Sequence, residues 1–514
     1  MVKKKKQKTK RLFKDERLYR AYSDIYNFYC SKINEKGISN EDLFLMAIKI
    51  ELAFCAKNIY LDRFFLTNYL LVPLYLRRAI EAIALYNYFI NKNFEPVNLQ
   101  VFKLYAKGVN VGQKELGDIK KRLMLGKKVD VKKAMENKFL YLSGTSSNEF
   151  KFSNIIKEID LNKLGNFDID FEKDYLNLSL IIHYSIDEAL KNYIVEKYLK
   201  KILDKYLNLF DYIFKDELKG ISRLNEPLIF SDGPTLIAIN KLFEDFSNDI
   251  SFFSLLISHT SKNPFCADLL HLYYEYIRSF LYLLVNDKYE EIVFSLKTFL
   301  EKLSIFGKLL SFDKVEAQKR YDYYLEALTL SLTSTDLDKC FDTEIKSLFE
   351  KYKKEFNFKR NIYDFKNLLV TSPSYFIYGK TISFSNEVDF FLTTYCLENK
   401  EYLTKLYRYS VGISHCTGYL GFEDEKDFKN AALKVVDFVF KFSRKILKII
   451  QDENKFSIED IENYSRGYDK IYDDFSETID SLYNIIKDKF NIEEAKDDIE
   501  IDFNEGNFLK IFGD

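Results

Sequence analysis

The combination of side chains best suited to chemistry in this sequence lies in "LYRYSVGISHCTG" (406–418), where Arg408 precedes His415 by seven positions. On an α-helix seven positions are nearly two turns, so both side chains would project from one face. A histidine can move a proton to or from a 2′-hydroxyl or a leaving oxygen, and an arginine can stabilise the charge that grows on a phosphate. The pair therefore suits metal-independent RNA cleavage. The alternative is a surface arginine near a hydrogen-bonded core histidine.

A second group of polar residues is expected around Arg77 and Glu81, which stand one helical turn apart in an otherwise apolar segment. Buried charges of this kind must pair with each other or with a neighbour. One interpretation is an internal salt bridge that fixes helix packing, and the other is a polar pocket that includes His183. The remaining histidines, His259 and His271, have no basic partner nearby in the sequence and are interpreted as structural.

Basic residues are concentrated in two segments although the net charge is −1. Residues 1–20 carry ten Lys or Arg against two acids, and residues 107–138 carry ten against four. Such runs usually form a disordered tail and a solvated helical face. The functional alternative is a surface that contacts the phosphates of a nucleic acid. In that case the contacting residues would be Lys120, Lys121, Arg122, Lys127, Lys128, Lys132 and Lys133.

The elements that must position these residues are predicted to be helices. Only 17 Gly and 6 Pro occur in 514 residues, and β folds need many more turn residues. Segments such as 424–450 open with acids and close with Lys and Arg, as the helix dipole favours. We therefore predict an all-α fold of multi-helix bundles, with minor β-hairpin or loop insertions at 139–152 and 378–385.

The chain is also predicted to contain two degenerate tandem helical repeats. "LRRAIEAIALYNYF" (76–89) aligns with "LKTFLEKLSIFGKL" (296–309), which places Arg77 on Lys297 and Glu81 on Glu301. Further along each copy, "LSLIIHYS" and "SVGISHCT" place His183 on His415. The resulting division of the chain is a basic disordered tail at 1–17, helical repeats at 18–228 and 229–455, and a helical extension with an acidic tail at 456–514.

No recognised cofactor or metal motif is present. The six cysteines share no CxxC spacing, and with four scattered histidines they form no zinc pattern. P-loop, dinucleotide, zinc-protease and nucleophile-elbow motifs are absent. The most apolar run, 64–76, is too short to span a membrane and no secretory signal is recognisable. We expect a soluble cytoplasmic protein with reduced thiols and without a cofactor.

The stretch "RYSVGISHC" resembles the Arg-x4-6-His motif of the HEPN superfamily, and "LRRAIEA" resembles the Arg-x3-Glu helix of related uncharacterised bacterial families. HEPN proteins are all-helical, are frequent in bacterial toxin–antitoxin, abortive-infection and CRISPR-linked systems, and include many metal-independent RNases. The resemblance implies that Arg408 and His415 are the catalytic pair. Two departures from the pattern are Tyr409, where a polar residue often follows the arginine, and Leu176, which stands where a second arginine would align.

Three functional hypotheses follow. The first is a HEPN-like defence protein or toxin that cleaves RNA as a homodimer or as a pseudo-dimer with one degenerate half. The second is a non-enzymatic helical sensor or scaffold that binds a partner protein. The third is a nucleic-acid-binding module that uses the basic tail and the 107–138 face.

Overall fold

A computed structural model of the chain describes twelve stretches of residues, and the fold, contacts and site are those of these residues. They are 2–32, 40–65, 71–91, 121, 155–159, 167–184, 194–219, 265–285, 287–333, 342–413, 425–453 and 468–490. Each secondary-structure element among them is helical, so the predicted all-α class is confirmed. None of the described helices is both long enough and apolar enough to cross a membrane.

The first six helices belong to the predicted N-terminal repeat and the segment before it. They are α1 (Val2–Lys32), α2 (Asn40–Phe65), α3 (Val72–Asn91), α4 (Phe171–His183), α5 (Lys200–Ile213) and α6 (Lys215–Lys219). Pro73 lies in the first turn of α3, where a missing N–H costs nothing. The Asp170 side chain caps α4 by accepting from the backbone N–H of Lys173. A short 3₁₀ turn (Ile156–Glu158) precedes α4, and a π-helical segment (Ile194–Leu199) leads into α5.

Ten further helices follow. They are α7 (Phe265–Val285), α8 (Tyr289–Leu309), α9 (Lys314–Thr333), α10 (Asp342–Phe356), α11 (Ile362–Thr371), α12 (Tyr375–Tyr378), α13 (Phe384–Tyr395), α14 (Lys400–Ile413), α15 (Glu425–Glu453) and α16 (Tyr468–Phe490). A 3₁₀ turn (Leu397–Asn399) joins α13 to α14. The predicted helix at 424–450 is therefore present as α15.

Helix α8 is the central element, because almost all of its side chains are buried. Helices α7, α9, α13, α14 and α15 pack around it, and α4 reaches it from the N-terminal part of the chain. Seven of its buried residues are polar or charged, Lys297 and Glu301 among them. These side chains must find partners inside the protein.

Helix α3 is the corresponding element of the N-terminal part. It packs against α2 and α4, and the ring of Tyr75 stacks on Phe294 of α8 at 5.8 Å between centroids. The two apolar helices that the predicted repeat aligns therefore meet directly. This contact brings the polar residues of α3 and α8 into one region of the core.

One prediction about local structure differs from what is observed. Residues 2–17, expected to be a disordered tail, form the first half of α1. They contain no Gly or Pro and are rich in Lys and Arg, which favour helices. Of the two structures predicted for 378–385, a β-hairpin or a loop, the loop is present: residues 379–383 connect α12 to α13, and Gly379 ends α12 in the left-handed region at φ 69°. The other predicted insertion, 139–152, and the repeat boundary near 228 lie outside the described residues.

Candidate functional site

The site is built around Arg77 and Glu81 on α3, the helix that also contributes the apolar core positions between them. The guanidinium Nε lies 3.4 Å from Glu81 Oε1, and the carboxylate is 1% exposed. Arg77 also lies over the ring of Tyr175 on α4, with Cζ 5.1 Å from the centroid. This arrangement holds the guanidinium at one end of a buried polar network.

His183 is the last residue of α4 and joins that network to α8. Its Nε2 lies 2.7 Å from Arg77 Nη1, and its Nδ1 lies 2.6 Å from Glu301 Oε2. A guanidinium can only donate hydrogen bonds, so Nε2 must accept and carries the lone pair. The Nδ1–H then donates to Glu301, which fixes a neutral tautomer. The structure therefore brings together Arg77, Glu81 and His183, for which the sequence left open an internal Arg77–Glu81 salt bridge or a polar pocket that includes His183.

Two tyrosine–glutamate pairs complete the site in matching positions. The Tyr175 hydroxyl donates to Glu81 Oε1 at 3.3 Å, and the Tyr407 hydroxyl on α14 donates to Glu301 Oε1 at 3.1 Å. In the predicted repeat Glu81 aligns with Glu301, and each tyrosine stands eight positions before a histidine. The two hydrogen bonds therefore join positions that the predicted repeat aligns. We call the seven residues Arg77, Glu81, Tyr175, His183, Lys297, Glu301 and Tyr407 the central polar cluster.

Burial and charge set the protonation states of the central polar cluster. Burial lowers the pKa of His183 to about 4, and Lys297 and Arg77 act in the same direction against Glu301. Burial alone would raise the pKa of Glu301, but Lys297 and the hydrogen bonds from His183 and Tyr407 keep that pKa below its usual value. The pKa of Lys297 is lowered, chiefly by burial. At neutral pH a neutral imidazole thus lies between a guanidinium and an ionised carboxylate.

Solvent reaches this cluster from the side of Arg77 and His183. Their side chains are 11% and 17% exposed, whereas those of Glu81 and Glu301 are 1% and 3% exposed. The ring of Phe384, at the start of α13, stacks on the imidazole at 5.5 Å with 19° between the planes. The aromatic contact and the Glu301 hydrogen bond together fix the orientation of the ring.

A second buried ion pair lies beside the cluster, on the next residue of α3. Arg78 is bound in bidentate fashion by Glu51 of α2, with Nε–Oε2 2.6 Å and Nη2–Oε1 2.9 Å. The guanidinium also lies over the rings of Phe54 and Phe294. Both charged side chains are almost completely enclosed. The pair fixes α3 between α2 and α8 and has no open face for a ligand.

Only one residue of the predicted catalytic pair, Arg408, lies in the part of the chain that the structure describes. Arg408 is exposed on α14, one position after the buried Tyr407, while His415 lies outside the described residues. Of the seven basic residues predicted to contact phosphate, Lys121 is described and is exposed. The others, Lys120, Arg122, Lys127, Lys128, Lys132 and Lys133, lie outside the described residues.

Among the described residues no three His, Cys, Asp or Glu side chains are grouped closely enough to hold a metal ion. The described cysteines are all free thiols: Cys30, Cys55, Cys266 and Cys396. Sequence reasoning missed the two tyrosines of the cluster and the contact between His183 and Glu301. The signal for the tyrosines was their identical spacing from His183 and His415.

Comparison of the chain with protein-family models, with curated proteins and with solved structures yields no match. A function for the chain must therefore be inferred from the geometry of the central polar cluster and from the resemblance of "RYSVGISHC" to HEPN motifs.

Proposed function

We propose that this chain is a HEPN-like helical protein of a bacterial antiviral defence or toxin-type system that cleaves RNA without a metal ion. The observation that carries the proposal is the solvent-facing side of the central polar cluster. The side chains of Arg77 and His183 are 11% and 17% exposed, whereas those of both carboxylates are at most 3% exposed. An RNA phosphate that approached would meet a cation and a proton acceptor before any negative charge.

The described contacts suit His183 to proton transfer. Glu301 holds the Nδ1–H, so the lone pair of Nε2 is directed towards Arg77. If a phosphate oxygen accepted the hydrogen bond that Arg77 donates to His183, the Nε2 lone pair would be released and could accept the proton of a ribose 2′-hydroxyl. The 2′-oxygen would then attack phosphorus, and the imidazolium would return the proton to the departing 5′-oxygen. The products are a 2′,3′-cyclic phosphate and a 5′-hydroxyl, and the guanidinium stabilises the charge on phosphorus.

The pair Arg408 and His415 is a second location for the same chemistry. Arg408 is accessible, and it lies next to Tyr407, which bonds to Glu301. The predicted repeat makes His415 the counterpart of His183. Both pairs therefore belong in one experiment, and the assignment to a defence system rests on the HEPN resemblance of the second pair.

The test is cleavage of end-labelled single-stranded RNA by the purified full-length chain in EDTA. We expect His183→Ala to lower the rate by about 10²–10⁴-fold, the usual contribution of general acid–base catalysis. Arg77→Lys should also lower it, because an ammonium cannot reproduce bidentate phosphate contacts. Loss in His415→Ala and Arg408→Ala instead would place the chemistry at the second pair. His271→Ala removes a histidine on α7 and serves as the control.

Fold integrity must be followed in parallel, because His183 also bonds to two helices. Circular dichroism and the thermal midpoint identify variants that have unfolded, and His183→Gln provides a variant that retains a polar side chain. Absence of cleavage by the wild-type protein would reject the enzymatic proposal. Cleavage at the wild-type rate in folded variants of both histidines would reject it equally.

A non-enzymatic scaffold is the second candidate, and one observation favours it. His183 has both ring nitrogens occupied and a phenyl ring stacked on its face, as a histidine that only joins helices would have. For such a protein the His183 variants would lose stability while the wild-type protein left RNA intact. A partner protein would then be the ligand to seek.

A further inference from the structure

A separate cavity of about 290 Å³ opens between α9, α10 and α12. Its walls include Arg320 of α9, Phe356 at the end of α10, Tyr375 at the start of α12, and the connecting residues Lys359 and Arg360. None of its lining residues belongs to the central polar cluster. Its properties can therefore be considered independently of RNA cleavage.

The charge of this cavity is strongly positive. Three of its lining residues are basic and none is acidic. Arg320 is neutralised by Glu316 at 2.6 Å and donates to the carbonyl oxygen of Ile377 at 3.0 Å. Lys359 and Arg360 are exposed, and neither forms an ion pair with another described residue. Two uncompensated cations thus border the opening and favour an anionic ligand.

The cavity also presents planar groups held in fixed positions. The Arg360 guanidinium lies over the ring of Tyr375, with Cζ 5.6 Å from the centroid, whereas the Arg320 guanidinium lies over both Phe312 and Phe356, with Cζ 4.8 Å from each centroid. Proteins bind unpaired nucleobases by stacking them on aromatic rings and on guanidinium planes. The plane that a base can stack on is therefore the guanidinium of Arg360, which is an exposed residue.

Two residues with positive φ shape the rim. Asn357 at φ 51° reverses the chain after α10 and leads directly into Phe358, Lys359 and Arg360. Gly379 at φ 69° ends α12, and a Cβ built there would lie 3.8 Å from Arg320 Nη1. Asn and Gly are the residues that adopt this conformation most readily. The turn at Asn357 thus leads the chain from α10 into Lys359 and Arg360, two of the residues that line the cavity.

We propose that this cavity binds one phosphorylated nucleotide, with Lys359 and Arg360 attracting the phosphate and the base stacking on the Arg360 guanidinium, which Tyr375 supports from below. The volume is at the low end of the range of about 300–1,000 Å³ usual for ligand pockets, which suits a mononucleotide. The nucleotide can be a free nucleoside monophosphate or the phosphorylated end of an RNA strand. Both present the same chemistry to the pocket.

Isothermal titration calorimetry of the full-length protein tests this assignment with AMP, adenosine, inorganic phosphate, and matched RNA oligonucleotides with and without a 5′-phosphate. We expect AMP to bind at least tenfold more tightly than adenosine or phosphate, with affinity that falls as salt is raised. The double variant Lys359→Ala/Arg360→Ala should lose at least tenfold in affinity. Lys346→Ala removes one exposed charge from α10 outside the pocket and should bind like wild type.

The two sources of the nucleotide are separated by comparing ligands. Tighter binding of the 5′-phosphorylated oligonucleotide than of AMP would identify a strand end, and the reverse order would identify a free nucleotide. The proposal is overturned if the folded double variant binds AMP as tightly as wild type, or if wild type binds neither AMP nor the phosphorylated strand. Equal affinity for inorganic phosphate and AMP would also overturn it, because the planar groups would then contribute nothing.

Discussion

His183 Nδ1 lies 2.6 Å from Glu301 Oε2, and this hydrogen bond joins residues 118 positions apart in the chain. One partner ends α4 and the other lies in the middle of the central helix α8. Because Arg77 donates to the opposite ring nitrogen, the imidazole is neutral and bridges a cation and an anion. The central polar cluster can form only when the two predicted repeats have come together.

The neutral state of His183 predicts a specific dependence of stability on pH. Its folded-state pKa of about 4 is below the usual value of 6.5, so the unfolded chain takes up the proton first as the pH falls. The stabilisation is complete above pH 6.5 and is lost as the pH drops towards 4, by about 3 kcal/mol. Urea unfolding at several pH values, compared between wild type and His183→Gln, measures this loss.

The comparison with the variant is necessary because other groups titrate in the same range. Burial raises the pKa of Glu51 to about 7 and that of Asp174 to about 6, and both effects reduce stability as the pH rises. These contributions are common to wild type and His183→Gln and cancel in the difference. A difference between the two proteins that stays constant from pH 7 to pH 4 would contradict a neutral, buried His183.

The paired tyrosines predict equivalent effects in the two repeats. Tyr175→Phe and Tyr407→Phe each remove one hydroxyl that donates to a buried carboxylate. We expect each substitution to lower the free energy of unfolding by about 1–3 kcal/mol, as is usual for hydrogen bonds to charged groups. Chemical denaturation measures both. Tyr363→Phe, at a position 78% exposed, should have no effect. A loss in one tyrosine variant alone would argue against equivalent roles.

The sequence contains enough information to place part of this cluster. Arg77 and Glu81 are one turn apart on an apolar helix, so their burial and pairing follow from periodicity. The alignment of the predicted repeats also indicates Glu301 and His183 as candidate site residues, because it pairs them with Glu81 and His415. Their direct contact could not be predicted, because a repeat alignment gives equivalent positions within each copy and gives no information on how the copies pack together.

Other features depend on tertiary structure in the same way. Glu51 and Arg78 are 27 positions apart on different helices, and nothing in their local sequence selects one as the partner of the other. The lysine-rich residues 2–17 could be read as a tail or as a helix, since charge density and helix propensity point in opposite directions. In the structure they form the first half of α1, whose later turns pack against α2.

The buried Glu51–Arg78 pair predicts a large effect of removing one charge. In Glu51→Gln the Arg78 guanidinium loses its bidentate carboxylate in the interior, and we expect a loss of about 3–5 kcal/mol in the free energy of unfolding. The double variant Glu51→Leu/Arg78→Met should recover much of this loss, because no buried charge is then left. Urea denaturation measures both variants. Glu401→Gln, which breaks an exposed pair with Lys405, is the control and should cost at most about 1 kcal/mol.

The phenyl ring that stacks on His183 belongs to α13, and Gly307 of α8 determines how closely α13 approaches α8. A Cβ built on Gly307 would lie 2.6 Å from Cδ2 of Phe391, so an added methyl group must displace this buried ring. We expect Gly307→Ala to lower the free energy of unfolding by about 1–3 kcal/mol despite its better helix propensity. Because α13 begins at Phe384, the imidazole NMR signals of His183 should also shift. Adding Phe391→Leu should restore part of the stability, whereas a Gly307→Ala protein as stable as wild type would show that α13 can move away freely.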